Sequence, residues 1–162
     1  MSSFQELYEA DLAAYGSGRI PFWTRCFHYY LRRVQTCSNR FLRGWYHLRF
    51  RAVSRQHRME LSHKALIGKG LCLRAPFTLT VNSGALIGEY VTLGKNVTIG
   101  KQNRGEREGV PTIGDRVIIG DNAVIVGKIT IGNDAVIAPN AYVNRDVPAG
   151  SEVSGSRMDI ME

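Results

Sequence analysis

Most of the N-terminal third has no acid to set against its bases. Between Leu12 and Met59 there is no Asp or Glu, against ten arginines, whereas from Glu60 to the C-terminus acids and bases balance at eleven each. The net charge of +7 therefore belongs to the N-terminal segment. The chain of 162 residues also lacks an apolar run long enough to span a bilayer, and lacks a charged-then-apolar leader. A cytoplasmic location is expected. Cysteine is scarce: Cys26, Cys37 and Cys72 are odd in number and match no zinc spacing, so reduced, mostly buried thiols are expected and no metal. No P-loop, dinucleotide fingerprint or nucleic-acid motif accompanies the arginines, which removes nucleic acid as an expected partner. Asn96-Val97-Thr98 has the glycosylation spacing, but inside a repeat it reads as accidental. No histidine follows His63.

A helical period is missing from the C-terminal half as well. From Pro111 to Val147 an aliphatic residue returns every sixth position: Ile113, Ile119, Ile125, Ile131, Ile137 and Val143. Gly114, Gly120, Gly132 and Ala138 follow four of them at once, and Val117, Ala123, Ile129, Ala135, Ala141 and Val147 stand four positions on. Neither a period of 3.6 nor of 2 fits. A short strand and a tight corner, repeated, does. Three hexads make one turn of a triangular column whose strands pair in parallel, about 4.8 Å apart, with the turns above and below. The small residue is expected to let the backbone turn the corner. Upstream, Leu61, Ile67, Leu73 and Leu79 keep the spacing. A slip of two is expected at 82–85, and the rhythm resumes at Ile87, Leu93 and Ile99. It breaks again over 101–112, a polar, charged stretch that must leave the column as a loop. About thirteen hexads, a little over four turns, result.

The expected organisation is a helical segment over 1–59, the repeats over 60–148 and a capping tail over 149–162. Ser3 and Glu6 form a capping box before a first helix carrying Phe4, Leu7, Tyr8, Leu12 and Tyr15 on one face. Pro21 suits the first turn of a second, with Phe22, Trp23, Cys26, Phe27, Tyr30, Leu31 and Val34 inward and Arg25, His28, Arg32 and Arg33 outward. Ser38 could cap a third, with Phe41, Leu42, Trp45, Leu48 and Val53 inward and Arg40, His47, Arg51 and Arg55 outward. His28, His47 and His57 are expected at the surface. This segment reads either as a cap on the first turn and on partner subunits, or as a surface for anionic lipid. Unpaired strand edges at both column ends need covering, and the flat sides predict a homotrimer or a multiple of one.

The segments EADLAAYG, ELSHKALIGKG, PTIG and DVPAGSEVSG, in that order around the coils, resemble the hexapeptide-repeat acyltransferases. Within them they resemble the serine O-acetyltransferase branch, which includes small capsule and exopolysaccharide O-acetyltransferases. The resemblance implies a mainly β fold, a left-handed parallel β-helix after an α-helical segment, with acetyl-CoA as acyl donor in a groove between subunits. It implies a histidine general base where this chain has Ala75, an acceptor-binding histidine where it has Val110, and a carboxylate partner at Glu60. Three explanations stay open: a base relocated to His63 beside Glu60, or to Glu106 or Glu108; transfer driven by positioning and oxyanion stabilisation; or a catalytically silent trimeric scaffold. The resemblance places CoA contacts at Gly100, Lys101, Gln102, Ala123, Ala138 and Pro139. Lys128 and Arg145 are further candidates for its phosphates, although each also reads as a solvated surface residue. The family's closing Gly-x-Pro-Ala-Arg is replaced by Gly155-Ser156-Arg157. The expected acceptor is a sugar hydroxyl in surface-polysaccharide assembly, with a lipid-linked substrate at the inner membrane face suited to the basic helices and serine ranked behind the sugar.

Overall fold

The computed structural model describes residues 3–62, 64–74, 78–154 and 159–161. Three helices come first: α1 (Phe4–Ala13), α2 (Phe22–Thr36) and α3 (Arg40–Gln56). Short strands follow: β1 (Glu60–Leu61), β2 (Leu66–Ile67), β3 (Cys72–Leu73), β4 (Thr80–Val81), β5 (Leu86–Ile87), β6 (Thr92–Leu93), β7 (Thr98–Gly100) and β8 (Thr112–Ile113). They continue with β9 (Ile118–Ile119), β10 (Val124–Val126), β11 (Thr130–Ile131), β12 (Val136–Ile137), β13 (Tyr142–Val143), β14 (Glu152–Ser154) and β15 (Asp159–Met161). Every third strand stacks on the same side of a three-sided column. The first side is β1-β4-β7-β10-β13, the second β2-β5-β8-β11, and the third β3-β6-β9-β12-β14-β15. All pairings are parallel except β14 with β15. This arrangement fits the left-handed β-helix expected from the resemblance.

The second residue of each two-residue strand points inward. Ile99, Ile125, Ile131 and Val143 are fully buried, and the column's core is a single stack of such aliphatics. The slip lies elsewhere than at 82–85. Val81, not Leu79, pairs with Leu61 and Ile99, so the two extra residues fall between Leu73 and Val81. Leu79 and Val81 are both buried and lie two apart. Spacing alone could not say which of them is the strand residue.

The corners also work differently from expectation. Tyr90, Asn96, Arg116, Asn122, Asp134 and Asn140 adopt positive φ, each two positions after the small residue of its hexad. At these six corners the left-handed conformation is taken by non-glycine residues, while at the first turn Gly70 takes it. The small residue instead permits close stacking: a Cβ on Gly88 would lie 2.6 Å from the Gly114 carbonyl carbon. Asp115 and Asp121 carboxylates accept from the Glu89 and Lys95 N–H groups of the preceding turn, and along one edge Asn96 donates to Asn122, which donates in turn to Asn140.

The helices cover the first turn through a buried polar cluster. Asp11 accepts from Arg32 Nε and Nη2, both at 2.7 Å, and lies 3.0 Å from His28 Nδ1. His28 Nε2 is 2.9 Å from the Tyr15 hydroxyl. The same groups reach the otherwise unpaired edge of the first turn. Arg32 donates to the carbonyls of Ile67 and Gly68, Asp11 accepts from Leu71 N–H, and Tyr15 accepts from Leu73 N–H. His28 and Arg32 are therefore fully buried, not outward as the helical pattern suggested. Their side of α2 is polar because its partner is a backbone edge, not solvent.

Other helical expectations change for related reasons. Asn39 caps α3 in place of Ser38, accepting from Phe41 and Leu42 N–H. Pro21 sits at the cap of α2. Phe22, Phe41, Leu42, Trp45 and Leu48 are exposed, while Phe50 and Ser54 face inward. His47 and His57 are half-buried, and so are the three free cysteines. At the far end β14 continues the third side and β15 folds back antiparallel on it, covering that edge.

The cap makes the fold sensitive to pH on both sides. Burial raises the Asp11 carboxyl, but hydrogen bonds and charge from His28 and Arg32 outweigh it and hold the group below 3.8. A depressed carboxyl stabilises above its unfolded value, and that stability is lost as pH falls through the lower, folded value. Burial pushes the Tyr15 phenol well above 10. Its contribution is complete below pH 10 and is lost as pH rises beyond that. Thermal melts followed by circular dichroism should show decreasing stability below pH 3.8 and above pH 10. Both losses should shrink in a Tyr15→Phe, Asp11→Asn double variant.

Candidate active site

Glu60 opens the column. It is the outward residue of β1, exposed, with its N–H donating to Leu79 carbonyl at 2.7 Å. On the same side and in register lie Thr80, Thr98, Val124 and Tyr142. His63 and Ala75 fall outside the described residues.

The loop between β7 and β8 is the column's largest excursion. It is a small hairpin: Gln102 and Gly109 exchange backbone hydrogen bonds of 2.9 and 3.0 Å, and Gln102 Nε2 donates to Arg104 carbonyl. The hairpin leans on the next turn, where Lys128 N–H donates to Arg107 carbonyl. Gly109 and Gly127, with φ of +142° and +97°, make that approach possible. A Cβ on Gly109 would lie 2.9 Å from Lys128 Cβ. Glu106 and Glu108 are exposed on the hairpin, and Val110 is half-buried at its return. Arg107 pairs with Asp146 at 3.6 Å, tying the hairpin to the last turn.

Gly100 ends β7 and Lys101 and Gln102 follow it, at the edge between the first and second sides. Gly100 is half-buried, and an added Cβ would stand 3.2 Å from Val126 Cγ1, so the edge stays flat. Ala138 and Pro139 follow β12, at the edge between the third and first sides. Ala138 is half-buried and Pro139 exposed. Ala123 is fully buried. As placed it packs the interior and offers no surface to a cofactor, because its position four after Ile119 points into the column. One chain therefore does not bring the two exposed sets together.

Asp11 and His28 form a carboxylate–imidazole pair, the arrangement a general base would use. It is sealed beneath Tyr15 and the first turn, which marks it as structural. The sequence pattern missed it because Asp11 lies 17 positions from His28.

Residues 111–145 match the bacterial transferase hexapeptide (six repeats) family. The stretch runs from β8 to just past β13. Serine acetyltransferase of Helicobacter pylori is 34% identical over 99 residues, which are 61% of this chain and 58% of that protein. Serine acetyltransferase of Mycobacterium tuberculosis is 36% identical over 97 residues, 60% of this chain and 42% of that one. The chain thus spans little more than half the length of these relatives at most. Among solved structures, soybean serine acetyltransferase apoenzyme aligns over 98% of this chain and 69% of its own, at 25% identity and a TM-score of 0.77. The Neisseria gonorrhoeae enzyme in complex with serine aligns over the same shares at 25% identity and 0.76. Together these show transferase hexapeptide repeats over 111–145 and a fold similar to that of the serine acetyltransferases. No helix among the described residues is long and apolar enough to cross a membrane, and no group of three or more potential metal-ligating residues is found among them.

Proposed function

We propose that the protein is an acetyl-CoA-dependent O-acetyltransferase working as a homotrimer. The observation that carries this reading is the hexapeptide column itself, with serine acetyltransferases as its relatives in sequence and in fold. Trimer formation is supported by the separation of the two candidate cofactor-binding sets onto different edges. A groove between neighbouring copies would unite Gly100, Lys101 and Gln102 of one with Ala138 and Pro139 of the next. A pantetheine arm would lie against these flat edges, and Lys128 and Arg145 stand on the surface within reach of solvent-borne phosphate. Exposed Leu66 and Leu86 on the second side also favour burial against another copy.

The chemistry is acyl transfer. The acceptor oxygen forms an ester bond to the acetyl carbon, the thioester C–S bond breaks, and the acceptor proton passes to a base and on to the departing thiolate. An alkyl hydroxyl needs such a base near neutral pH. Glu60 with His63, or Glu106 and Glu108 on the hairpin, are this chain's candidates, given Ala75 and Val110 where the resemblance expects histidines.

For the acceptor, the relatives reverse the order drawn from sequence: their names favour the hydroxyl of serine. A sugar hydroxyl, carried on a lipid, is the second reading, favoured by Val110 at the acceptor position and by the arginine-rich helices. Isothermal titration should register acetyl-CoA binding, and thiol release should then follow addition of serine or of the sugar acceptor. Absence of binding at millimolar acetyl-CoA would end the enzyme reading in favour of a trimeric scaffold. Turnover unchanged in Glu60→Ala and His63→Ala would remove those two residues.

A further inference from the structure

One face of α3 exposes a run of large apolar residues. Phe41, Trp45 and Leu48 are 93%, 51% and 66% exposed, and with exposed Ala52 they recur at intervals of four, three and four. That spacing sets them in one ridge along the helix. Phe50 and Ser54, on the opposite side, hold α3 to the rest of the cap. Arginines border the ridge. Arg49 lies to one side with its guanidinium 5.5 Å from the Trp45 ring, and Arg51 and Arg55 lie exposed to the other. No acid occurs from Ala13 to Met59 to neutralise them.

We infer that this face of α3 docks on an anionic lipid bilayer. An interfacial helix of this kind buries Phe, Trp and Leu at the acyl boundary, while arginine stems lie along the same boundary and their heads meet lipid phosphates. Trp is well suited to that depth, with an apolar body and an N–H donor. A second copy is the rival occupant, and charge argues against it. Two α3 ridges packed on one another would bring two arginine borders together with no acid from this segment to meet them. A bilayer of anionic lipid supplies the missing negative charge along the whole ridge. Docking requires no acetyl transfer, so it stands or falls independently of the proposed activity.

Flotation of the full-length protein with phosphatidylcholine vesicles, with and without phosphatidylglycerol, tests this. The protein should float with the anionic vesicles at physiological salt, not with the neutral ones, and binding should weaken as salt rises. Phe41→Ser with Trp45→Ser should lower the partition by about tenfold or more. Arg51→Gln and Arg55→Gln should lower it about fivefold each. These side chains are exposed, so the variants should keep the circular dichroism of the parent. No flotation with anionic vesicles, or equal flotation with neutral ones, would overturn the inference. So would a Phe41→Ser, Trp45→Ser protein that floats as before but loses mass in light scattering, since a second copy would then cover the ridge.

Discussion

Asp11→Ala should cost about 3–5 kcal/mol of stability, the usual range for removing one partner of a buried ion pair. The total stability of a domain this size is about 5–15 kcal/mol. Arg32, fully buried, would keep its charge with no carboxylate, and Leu71 N–H would lose its acceptor. The usual remedy for a buried ion pair is replacement of both partners by apolar residues, which is often neutral. It should fail here. An Asp11→Leu, Arg32→Met double variant still strands the Ile67 and Gly68 carbonyls and Leu71 N–H at the column's open edge. Urea unfolding followed by circular dichroism measures both. Recovery of parental stability by the double variant would show that the cluster pairs charges without capping the edge.

That cluster is also where the sequence was hardest to read. The column was legible because its signal is local: an inward aliphatic every six residues needs no knowledge of distant segments, and Ile113 to Val143 follow it without a break. The slip was misplaced for a local reason too, since Leu79 and Val81 both turn inward. His28 and Arg32 were assigned to solvent because polarity on a helix face usually means water. Here it meant Asp11, 21 positions before Arg32, and a backbone edge more than 30 positions after it. The reverse error befell α3, whose apolar residues implied a buried face that the column does not cover. For the site, the flat edges at Gly100 and Ala138 follow from the hexad pattern. Which edges of which copies meet is a property of the assembly, and a single chain's residue order is silent on it. Ala123 illustrates the limit: a small residue marks both a groove and an interior, and only its direction separates the two.

Gly120→Ala, a change of one methyl group, should destabilise the protein by about 1–3 kcal/mol, as overpacking of a tight interior does. Gly120 does not adopt positive φ, so no backbone strain attends the change. The obstacle is the next turn. The new Cβ would lie 2.5 Å from Pro139 N and 2.8 Å from the Ala138 carbonyl carbon, and both are backbone that cannot rotate away. Relief requires turns to separate at that edge, which stretches the bonds from Gly120 N–H to Ile137 carbonyl and from Asn140 N–H to Asp121 carbonyl, now 2.7 and 2.8 Å. The protein itself contains the comparison. One turn on, the same hexad position is Ala138, facing β14 of the tail, not another regular hexad. Ala138→Gly should therefore leave stability nearly unchanged, apart from the glycine's greater freedom in the unfolded chain, about 0.4–1 kcal/mol. Chemical denaturation of the two variants side by side decides the point. Equal losses would mean that the small residue serves the bend after all, and that the close stacking of turns is incidental.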